Sequence, residues 1–318
     1  MAKIIVIVGP TASGKSALAI KLAKKFNGEI VSADSRQVYR GMDIGTGKVT
    51  ETEQKQVKHW LIDVVNPKIN FSVAKFKKLA DKKIKDILKR GKLPIIVGGT
   101  GFWIKAVIDN VKFPKVKPDR KLRKKLAKKP AKVLFKILQN LDPGRAAGID
   151  PYNKVRLVRA IEIAKILGKV PEMKMAPKYE TLQLGISWPK EILSKRIKER
   201  LDKRFGQGMI AEVKNLRKSG ISFKRLESFG LEYRSVAGYL QKKMTLEEMK
   251  EKLFQEIKNY AKRQMTWFRK DPAPEPQYQS KARYGARQVR YGASKRIHWI
   301  KNEKEAEKLV KNFLNLKI

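Results

Sequence analysis

The sequence predicts an α/β fold, in which a parallel sheet with crossover helices carries an inserted helical segment. Three features of the chain indicate it. A glycine-rich loop follows a short apolar run, strand and helix patterns alternate over the first hundred residues, and a lysine-rich stretch broken by prolines begins near residue 114. Alternation of this kind is typical of parallel sheets, because parallel neighbours are joined by crossover helices.

The glycine-rich loop, GPTASGKS, fills every fixed position of the phosphate-binding pattern G-x-x-x-x-G-K-[ST]. Residues 3–8 before it are typical of a buried strand, and residues 17–24 after it are typical of a helix. The backbone amides of such a loop, the positive end of the helix and the lysine together hold a diphosphate. We therefore predict a P-loop NTPase-like core. Its predicted ligand-binding residues are Gly9, Pro10, Thr11, Ala12, Ser13, Gly14, Lys15 and Ser16.

Two more buried strands are predicted in the first hundred residues. Residues 29–32 form one, and residues 93–97 form another that ends in the glycine-rich segment 98–101. Between them, residues 71–90 carry helical periodicity after Ser72, which is a suitable helix cap. Strand ends and phosphate loops of this kind line the crevice in which doubly wound sheets bind ligands.

The second half of the chain predicts two strands and three helical regions. A strand at 182–187 precedes amphipathic helices at 192–218, as one helix or a pair, and at 246–269. A strand at 297–300 leads into a last helix, capped by the Asn302 and Glu305 pair.

The sequence predicts that the chain is organised in five segments. Residues 1–113 and 181–271 form two parts of the core, 114–180 a helical insertion, 272–296 a flexible insertion, and 297–318 the final strand and helix. The segment 272–296 is rich in proline, glycine, arginine and tyrosine. Its arginines and tyrosines suit stacking on single-stranded RNA, while a plain solvated loop is the other interpretation.

The charge of the chain indicates a polyanionic partner. It has 74 lysines and arginines against 30 acidic residues, a formal net charge of +44. Solubility needs a net charge of only roughly 2 to 8, so nucleic acid is the first candidate, ahead of an anionic membrane. A compositional habit of the source organism is the alternative explanation for part of the lysine excess. Without cysteine the chain has no disulfide, thiolate zinc site or cysteine nucleophile, which fits a cytoplasmic protein. No stretch approaches the roughly 18 apolar residues of a membrane span.

Asp34 directly follows the second predicted strand, beside the expected position of the phosphate loop. A carboxylate there is able to orient Mg²⁺ or accept a proton, and a helix-capping aspartate is the alternative. The segment 98–101 is likewise compatible with a simple turn. The isolated His59 and His298 favour structural roles over metal binding.

Six segments, taken in order, resemble one family. They are 9–16, 34–48, 59–63, 98–101, 156–162 and 260–268. Together they are similar to the tRNA isopentenyltransferases, also called tRNA dimethylallyltransferases, from residue 3 to about 270 and again from 296. The segments 34–48 and 260–268 are specific to that family, whereas the phosphate loop is not.

The resemblance implies an enzyme that transfers a dimethylallyl group from dimethylallyl diphosphate to N6 of the adenine 3′-adjacent to the anticodon, in tRNAs that read codons beginning with U. It implies that the phosphate loop holds the donor, although the loop is also typical of ATP-binding proteins. Lys15 and Arg200 would neutralise the diphosphate, Ser16 would reach Mg²⁺, and Asp34 would be the general base. The implied partners are the tRNA anticodon stem-loop and the donor, with no membrane, and the expected state is a cytoplasmic monomer.

The implied tRNA contacts extend over several segments. They are Asp34, Ser35, Arg36, Gln37, Thr100, Arg123, Val155, Arg156, Leu157, Val158, Arg159, Gly230, Leu231, Glu232, Tyr233 and Arg234.

Two departures from the family pattern stand out. The segment 272–296 has no usual counterpart, and Arg204 replaces a usual methionine. Three other functions stay open at this point: a small-molecule kinase that uses the same loop with ATP, an adenylate isopentenyltransferase, and a non-catalytic RNA-binding module.

Overall fold

The computed structural model describes residues 1–269 and 297–316, so the predicted insertion at 272–296 lies outside the described residues. The described residues form two compact units. The first contains residues 1–110, 177–269 and 297–316, and the second contains residues 111–176. The sequence pattern predicts this inserted helical segment at 114–180.

The first unit is built on a six-stranded sheet in which every pairing is parallel, as predicted. Its strand order is β3-β2-β4-β1-β5-β6. The strands are β1 (Ala2–Val8), β2 (Gly28–Ser32), β3 (His59–Trp60), β4 (Leu93–Val97), β5 (Tyr179–Ile186) and β6 (His298–Ile300).

Fourteen helices accompany the sheet in the described part of the chain. In the first unit they are α1 (Lys15–Lys25), α2 (Glu51–Gln56), α3 (Val73–Lys89), α4 (Gly101–Ile108), α9 (Lys190–Gly206), α10 (Met209–Lys218), α11 (Phe223–Phe229), α12 (Leu231–Leu240), α13 (Leu246–Arg269) and α14 (Glu303–Leu314). In the second unit they are α5 (Arg120–Ala127), α6 (Ala131–Leu141), α7 (Pro143–Ala147) and α8 (Lys154–Leu167).

The ends of several helices follow from their capping residues. The Ser72 side chain accepts a hydrogen bond from the Lys75 backbone N–H at the start of α3, as predicted. Asn302 accepts one from Glu305 N–H at the start of α14. The region 192–218 is a pair of helices, because Gly208 adopts the left-handed conformation (φ +93°) that separates α9 from α10.

Both faces of the sheet are buried, which explains why β1 and β4 are mostly apolar, although β2 and β5 also bury the polar residues Glu29, Thr181 and Gln183. Ile5 and Ile7 of β1 pack in the same cluster as residues of α1 and α14. Ile4 and Val6, which point the other way, pack with residues of α3, α4 and α13. Asp34, which follows β2, lies beyond this core and is partly exposed.

Gly98 allows three strand ends to meet closely. Its N–H donates to the carbonyl oxygen of Ile7, at the end of β1, and Ala33 after β2 donates to Val97 of β4. A Cβ on Gly98 would lie 2.3 Å from the Ala33 carbonyl oxygen. Since no side chain fits there, glycine brings the loops that follow β1, β2 and β4 to one place.

A buried carboxylate organises the second unit. Glu162 of α8 is fully buried and accepts hydrogen bonds from Arg123 (2.9 and 2.7 Å), from Arg159 and from the Asp119 backbone N–H (2.6 Å). Burial alone would raise the pKa of Glu162, but these donors lower it to about 2. Beside it lies an apolar core that includes Leu134, built by the helices α5 to α8.

Replacing Glu162 by glutamine is expected to lower the free energy of unfolding by about 2–3 kcal/mol, because two guanidinium groups lose their buried partner while remaining partly solvated. Urea unfolding measures it, and the exposed Glu172→Gln is the matched control. In the wild type, this contribution is complete above the ordinary glutamate pKa and is lost as the pH falls through about 2. Equal unfolding free energies of E162Q and E172Q would contradict the assignment.

None of the helices within residues 1–269 and 297–316 has both the length and the apolar character that crossing a membrane requires.

Candidate active site

The phosphate loop connects β1 to α1, and its backbone conformation requires glycine at two positions. Gly9 (φ +146°) leaves no room for a side chain, since a Cβ would lie 2.5 Å from the Ile186 carbonyl oxygen. Gly14 (φ +97°) caps α1 in the left-handed conformation. Ala12 also has a positive φ of 61°. This conformation presents the loop at the positive end of α1, as an anion site requires.

Lys15 folds back over this loop. Its ammonium donates to the Pro10 carbonyl oxygen (2.5 Å) and approaches the Ser13 hydroxyl (3.5 Å). The pKa of Lys15 is lowered to about 7, mainly by burial and also by the charge of Arg200, while the carboxylate of Asp34 opposes both. The amine is therefore able to gain a proton when an anion arrives.

Three side chains from distant segments hold the phosphate loop from outside. Trp188 Nε1 donates to the Ser13 carbonyl oxygen (2.9 Å), and Arg196 Nε donates to that of Ala12 (2.8 Å). Gln264 of α13 accepts the Thr11 N–H (2.8 Å) and donates to the Gly99 carbonyl oxygen (2.9 Å). None of these three residues is among the predicted site residues, although Gln264 lies in the family-specific segment 260–268.

Asp34 stands at the end of β2 with its two oxygens in different settings. Oδ1 accepts hydrogen bonds from the backbone N–H groups of Arg36 (2.8 Å) and Gln37 (3.3 Å). Residues 35–38 form a turn and no helix begins there, so this oxygen stabilises a turn and the helix-capping alternative is wrong. Within the described residues, Oδ2 makes no hydrogen bond. Thr100, after β4, accepts the Ser35 N–H through its hydroxyl (3.3 Å) and so joins two of the strand-end loops.

One cavity of about 420 Å³ brings most of the predicted site residues together. Those that line it are Thr11, Lys15, Ser16, Asp34, Ser35, Arg36, Gln37, Arg200, Gly230, Leu231, Glu232, Tyr233 and Arg234. An adjoining cavity is lined by Ala12, Ser13 and Gly14 together with Lys15, Ser16 and Arg200. Gly9, Pro10 and Thr100 are not among the residues that line these two cavities.

The walls of the cavity that contains Asp34 carry more positive than negative charge. The pKa of Arg200 is lowered to about 10, mainly by burial and also by the charge of Arg204, while Glu232 and Asp34 oppose both. Burial likewise lowers the pKa of Arg36. Cations held this far from water favour an anionic ligand, because an anion restores the charge balance.

Another wall of the cavity is apolar. It includes Ala19 of α1, Ile30 of β2, and Val49, Ile62 and Val97. His59 of β3 lies opposite Ile30 in the sheet and also lines this cavity, with its Nδ1 donating to the Val57 carbonyl oxygen (2.8 Å). The cavity therefore offers polar groups to one part of a ligand and apolar side chains to another.

The loop 43–47 is held at the cavity by Glu212 of α10. This carboxylate accepts the N–H groups of Asp43 (2.7 Å), Ile44 (2.7 Å) and Gly45 (3.1 Å). The Tyr233 hydroxyl also donates to Glu212 (2.7 Å). Sequence reasoning missed Glu212, because nothing in its local pattern distinguishes it from an ordinary exposed helix residue.

Two arginines lie over the ring of Phe229, which is buried and lines the same cavity as Asp34. The Arg225 guanidinium lies 4.4 Å from the centroid of the Phe229 ring, and that of Arg36 lies 5.8 Å from the same ring. The planar guanidinium groups are suited to contacts with nucleotide bases.

The remaining predicted tRNA contacts lie on the second unit and differ among themselves. Val155 is exposed, whereas Arg123 and Arg159 are both paired with Glu162. The prediction that the Leu157 side chain contacts tRNA is wrong, because this side chain is fully buried in the core of the second unit. It supports α8 from inside and presents no side chain to RNA. Arg156, with its N–H bonded to the Asn153 side chain, and Val158 complete the segment.

The parallel sheet, the phosphate loop and the cavity of arginines beside a carboxylate define an α/β protein built to act on a phosphorylated ligand. A family model described as IPP transferase matches residues 37–271. tRNA dimethylallyltransferase 1 of Syntrophus aciditrophicus (strain SB) is 46% identical over 275 residues, which cover 85% of this chain and 90% of that protein. tRNA dimethylallyltransferase of Carboxydothermus hydrogenoformans (strain ATCC BAA-161 / DSM 6008 / Z-2901) is 44% identical over 281 residues, with coverage of 85% and 90%.

Solved structures agree with these relatives. A tRNA delta(2)-isopentenylpyrophosphate transferase from Staphylococcus epidermidis has a TM-score of 0.68 at 33% identity and covers 100% of both chains. A eukaryotic dimethylallyltransferase acting on tRNA has a TM-score of 0.74 at 31% identity, covering 84% of this chain and 70% of that one. The chain belongs to the IPP transferase family, which confirms the resemblance that its motifs indicated.

Proposed function

We propose that this protein transfers the dimethylallyl group of dimethylallyl diphosphate to N6 of the adenine 3′-adjacent to the anticodon, in tRNAs that read codons beginning with U. The observation that carries the proposal is one cavity lined by the phosphate loop, Arg200 and Asp34. The relatives named tRNA dimethylallyltransferase support this choice of donor and acceptor. The products are N6-isopentenyladenosine and diphosphate. We further propose that the enzyme acts as a cytoplasmic monomer.

The phosphate loop binds the diphosphate of the donor. Its backbone amides and the end of α1 face the phosphate oxygens, and Lys15 exchanges its contact with the Pro10 carbonyl oxygen for one with the diphosphate. Arg200 donates to the same group from the opposite wall. The five-carbon chain of the donor lies along the apolar wall that includes Ile30 and Val97.

Mg²⁺ is the cofactor that we propose for this site. Ser16 lines both cavities beside Lys15, so its hydroxyl is placed to share a cation with the donor phosphates. Mg²⁺ is commonly held by one or two protein groups together with substrate phosphates, which fits a single serine. When bound, the cation would neutralise charge on the departing diphosphate.

The transfer itself exchanges one bond at carbon 1 of the donor. The bond from this carbon to the diphosphate oxygen breaks as the bond to adenine N6 forms, and the electron pair leaves with the diphosphate. Lys15 and Arg200 stabilise the charge that develops there. Asp34 Oδ2 accepts the proton that N6 loses, since Oδ1 is already bound to the backbone of residues 36 and 37.

The acceptor adenine enters beside Asp34 after leaving its stack, as base-modifying enzymes require. Residues 35–37 and 230–234 line the cavity on this side, and the Phe229 ring with its arginines lies next to them. The second unit adds nineteen lysines and arginines against five acidic residues within 111–176. These cations suit contacts to the phosphates of an anticodon stem-loop.

Mass spectrometry of tRNA nucleosides tests the proposed function. After incubation of the enzyme with dimethylallyl diphosphate, Mg²⁺ and unmodified tRNA, the adenosine 3′-adjacent to the anticodon is expected to gain one five-carbon unit. A tRNA with guanosine at that position is the matched control and is expected to stay unmodified. Transfer of phosphate from ATP to a small molecule, or prenylation of free adenine nucleotides in preference to tRNA, would contradict the proposal.

A further inference from the structure

Arg204 is a buried arginine without an assigned role, at a position where the family pattern usually has methionine. It lies on α9 four residues after Arg200, so that both side chains leave the same face of the helix. Arg204 is 6% exposed and lines the same cavity as Asp34 and Lys15. A buried cation at such a place needs more than one acceptor.

The hydrogen bonds of Arg204 account for only part of its guanidinium group. Nη1 donates to the Glu232 carboxylate (2.9 Å) and to the Gly45 carbonyl oxygen (3.3 Å). Nη2 is buried and has no hydrogen-bond partner in the described part of the chain. Arginine donates five hydrogens, and a buried donor that is left unpaired costs free energy. A ligand with several acceptor oxygens would remove this cost.

Gly47 shows where Nη2 points. A Cβ on this glycine, which has a φ of +57°, would lie 1.7 Å from Arg204 Nη2 and 2.4 Å from Arg200 Nη2. The two guanidinium groups therefore converge on one backbone position. Gly47 lines both the cavity of Asp34 and the adjoining cavity of the phosphate loop. Nη2 thus lies close to the junction of the two cavities, beside the site that a diphosphate would occupy.

The positive side chains around this junction are not fully balanced by negative ones, so an anion would be bound favourably there. Arg200 and Arg204 share Glu232 as a nearby carboxylate, and their mutual repulsion contributes to the lowered pKa of Arg200. A diphosphate carries at least two negative charges and several acceptor oxygens. Such a group is able to accept from both guanidinium groups, in the manner of arginine–phosphate contacts elsewhere.

We propose that Arg204 binds the diphosphate of the prenyl donor through Nη2, alongside Arg200, while Nη1 holds Glu232. This inference rests on the proposed function and adds a specific donor contact that the usual methionine cannot make. It increases affinity for the donor and for the diphosphate product, and it leaves the affinity for tRNA unchanged.

Binding of inorganic pyrophosphate in the presence of Mg²⁺, measured by calorimetry, tests this role. Arg204→Met is expected to weaken binding about tenfold or more, because a charged hydrogen bond is lost. Arg204→Lys is expected to weaken it several-fold, since one ammonium cannot serve both Glu232 and the diphosphate as a guanidinium does. The exposed Lys198→Met removes one positive charge from the same helix and is the matched control, with unchanged affinity expected.

Steady-state kinetics separates a ligand contact from a purely structural ion pair. For R204M, the KM of dimethylallyl diphosphate is expected to rise while the KM of tRNA stays within about twofold. Unchanged pyrophosphate affinity in folded R204M would overturn the inference, as would a raised tRNA KM with an unchanged donor KM. If R204M does not fold, unchanged affinity in R204K overturns it. Failure of the wild type to bind pyrophosphate would instead contradict the proposed function itself.

Discussion

Replacing Asp34 by asparagine is expected to lower the rate of prenyl transfer by about 10²-fold or more, while tRNA binding persists. The amide keeps an oxygen that accepts the N–H groups of Arg36 and Gln37, so the loop after β2 keeps its conformation. It removes the oxygen that accepts the proton of adenine N6. Single-turnover transfer to tRNA measures the rate, and a filter-binding titration measures the affinity for tRNA.

Asp34→Ala serves as the comparison, because it removes both oxygens. It is expected to lose transfer to at least the same degree and to lose loop stability as well, since the backbone N–H groups lose their acceptor. Transfer by D34N at the rate of the wild type would refute the general-base role. Loss of tRNA binding together with transfer would indicate that Asp34 mainly positions the RNA.

Replacing Lys15 by methionine is expected to lower transfer by about 10²–10³-fold, since a preorganised positive group at the departing diphosphate is lost. Methionine keeps much of the side-chain volume, so the loop and α1 are expected to remain folded. Transfer measured with saturating donor, and pyrophosphate binding measured separately, divide the effect between chemistry and affinity.

The pH dependence of pyrophosphate binding gives an independent check on Lys15. Its pKa of about 7 means that the free amine is increasingly neutral above that pH, and binding of an anion must then recruit a proton. Affinity in the wild type is expected to fall as the pH rises from about 7.5, and K15M is expected to lose most of this dependence. Equal pH dependence in the two proteins would contradict the assignment.

The sequence predicted those parts of the molecule that depend on local pattern. The phosphate loop, the apolar strands β1, β2 and β4, and the helix at 246–269 are each set by neighbouring residues, and the structure confirms them. The two-residue strand β3 carries too little periodicity to be recognised. Its place in the sheet depends on pairing with β2, which is a property of the folded chain.

The parts of the candidate site that sequence did not predict depend on contacts between distant residues. Arg196 reaches Ala12 across 184 residues, and Glu212 reaches the N–H groups of residues 43–45 across about as many. For Leu157 the sequence predicted a contact that the structure does not have. The segment 155–159 is basic and suits RNA binding, but Leu157 within it packs in the core of the second unit. The second role of Arg123, as a partner of a buried carboxylate, likewise needs the fold.

Gln264 ties the first loop of the chain to residues that the ribosome adds much later. Its bond to Thr11 spans 253 positions, and its second bond holds Gly99. During synthesis, the donor-binding loop therefore remains without this brace until almost the whole catalytic unit has emerged from the exit tunnel. A nascent or prematurely terminated polypeptide that contains Trp188 and Arg196 therefore has two of the three side chains that hold this loop, but lacks the one that joins it to Gly99.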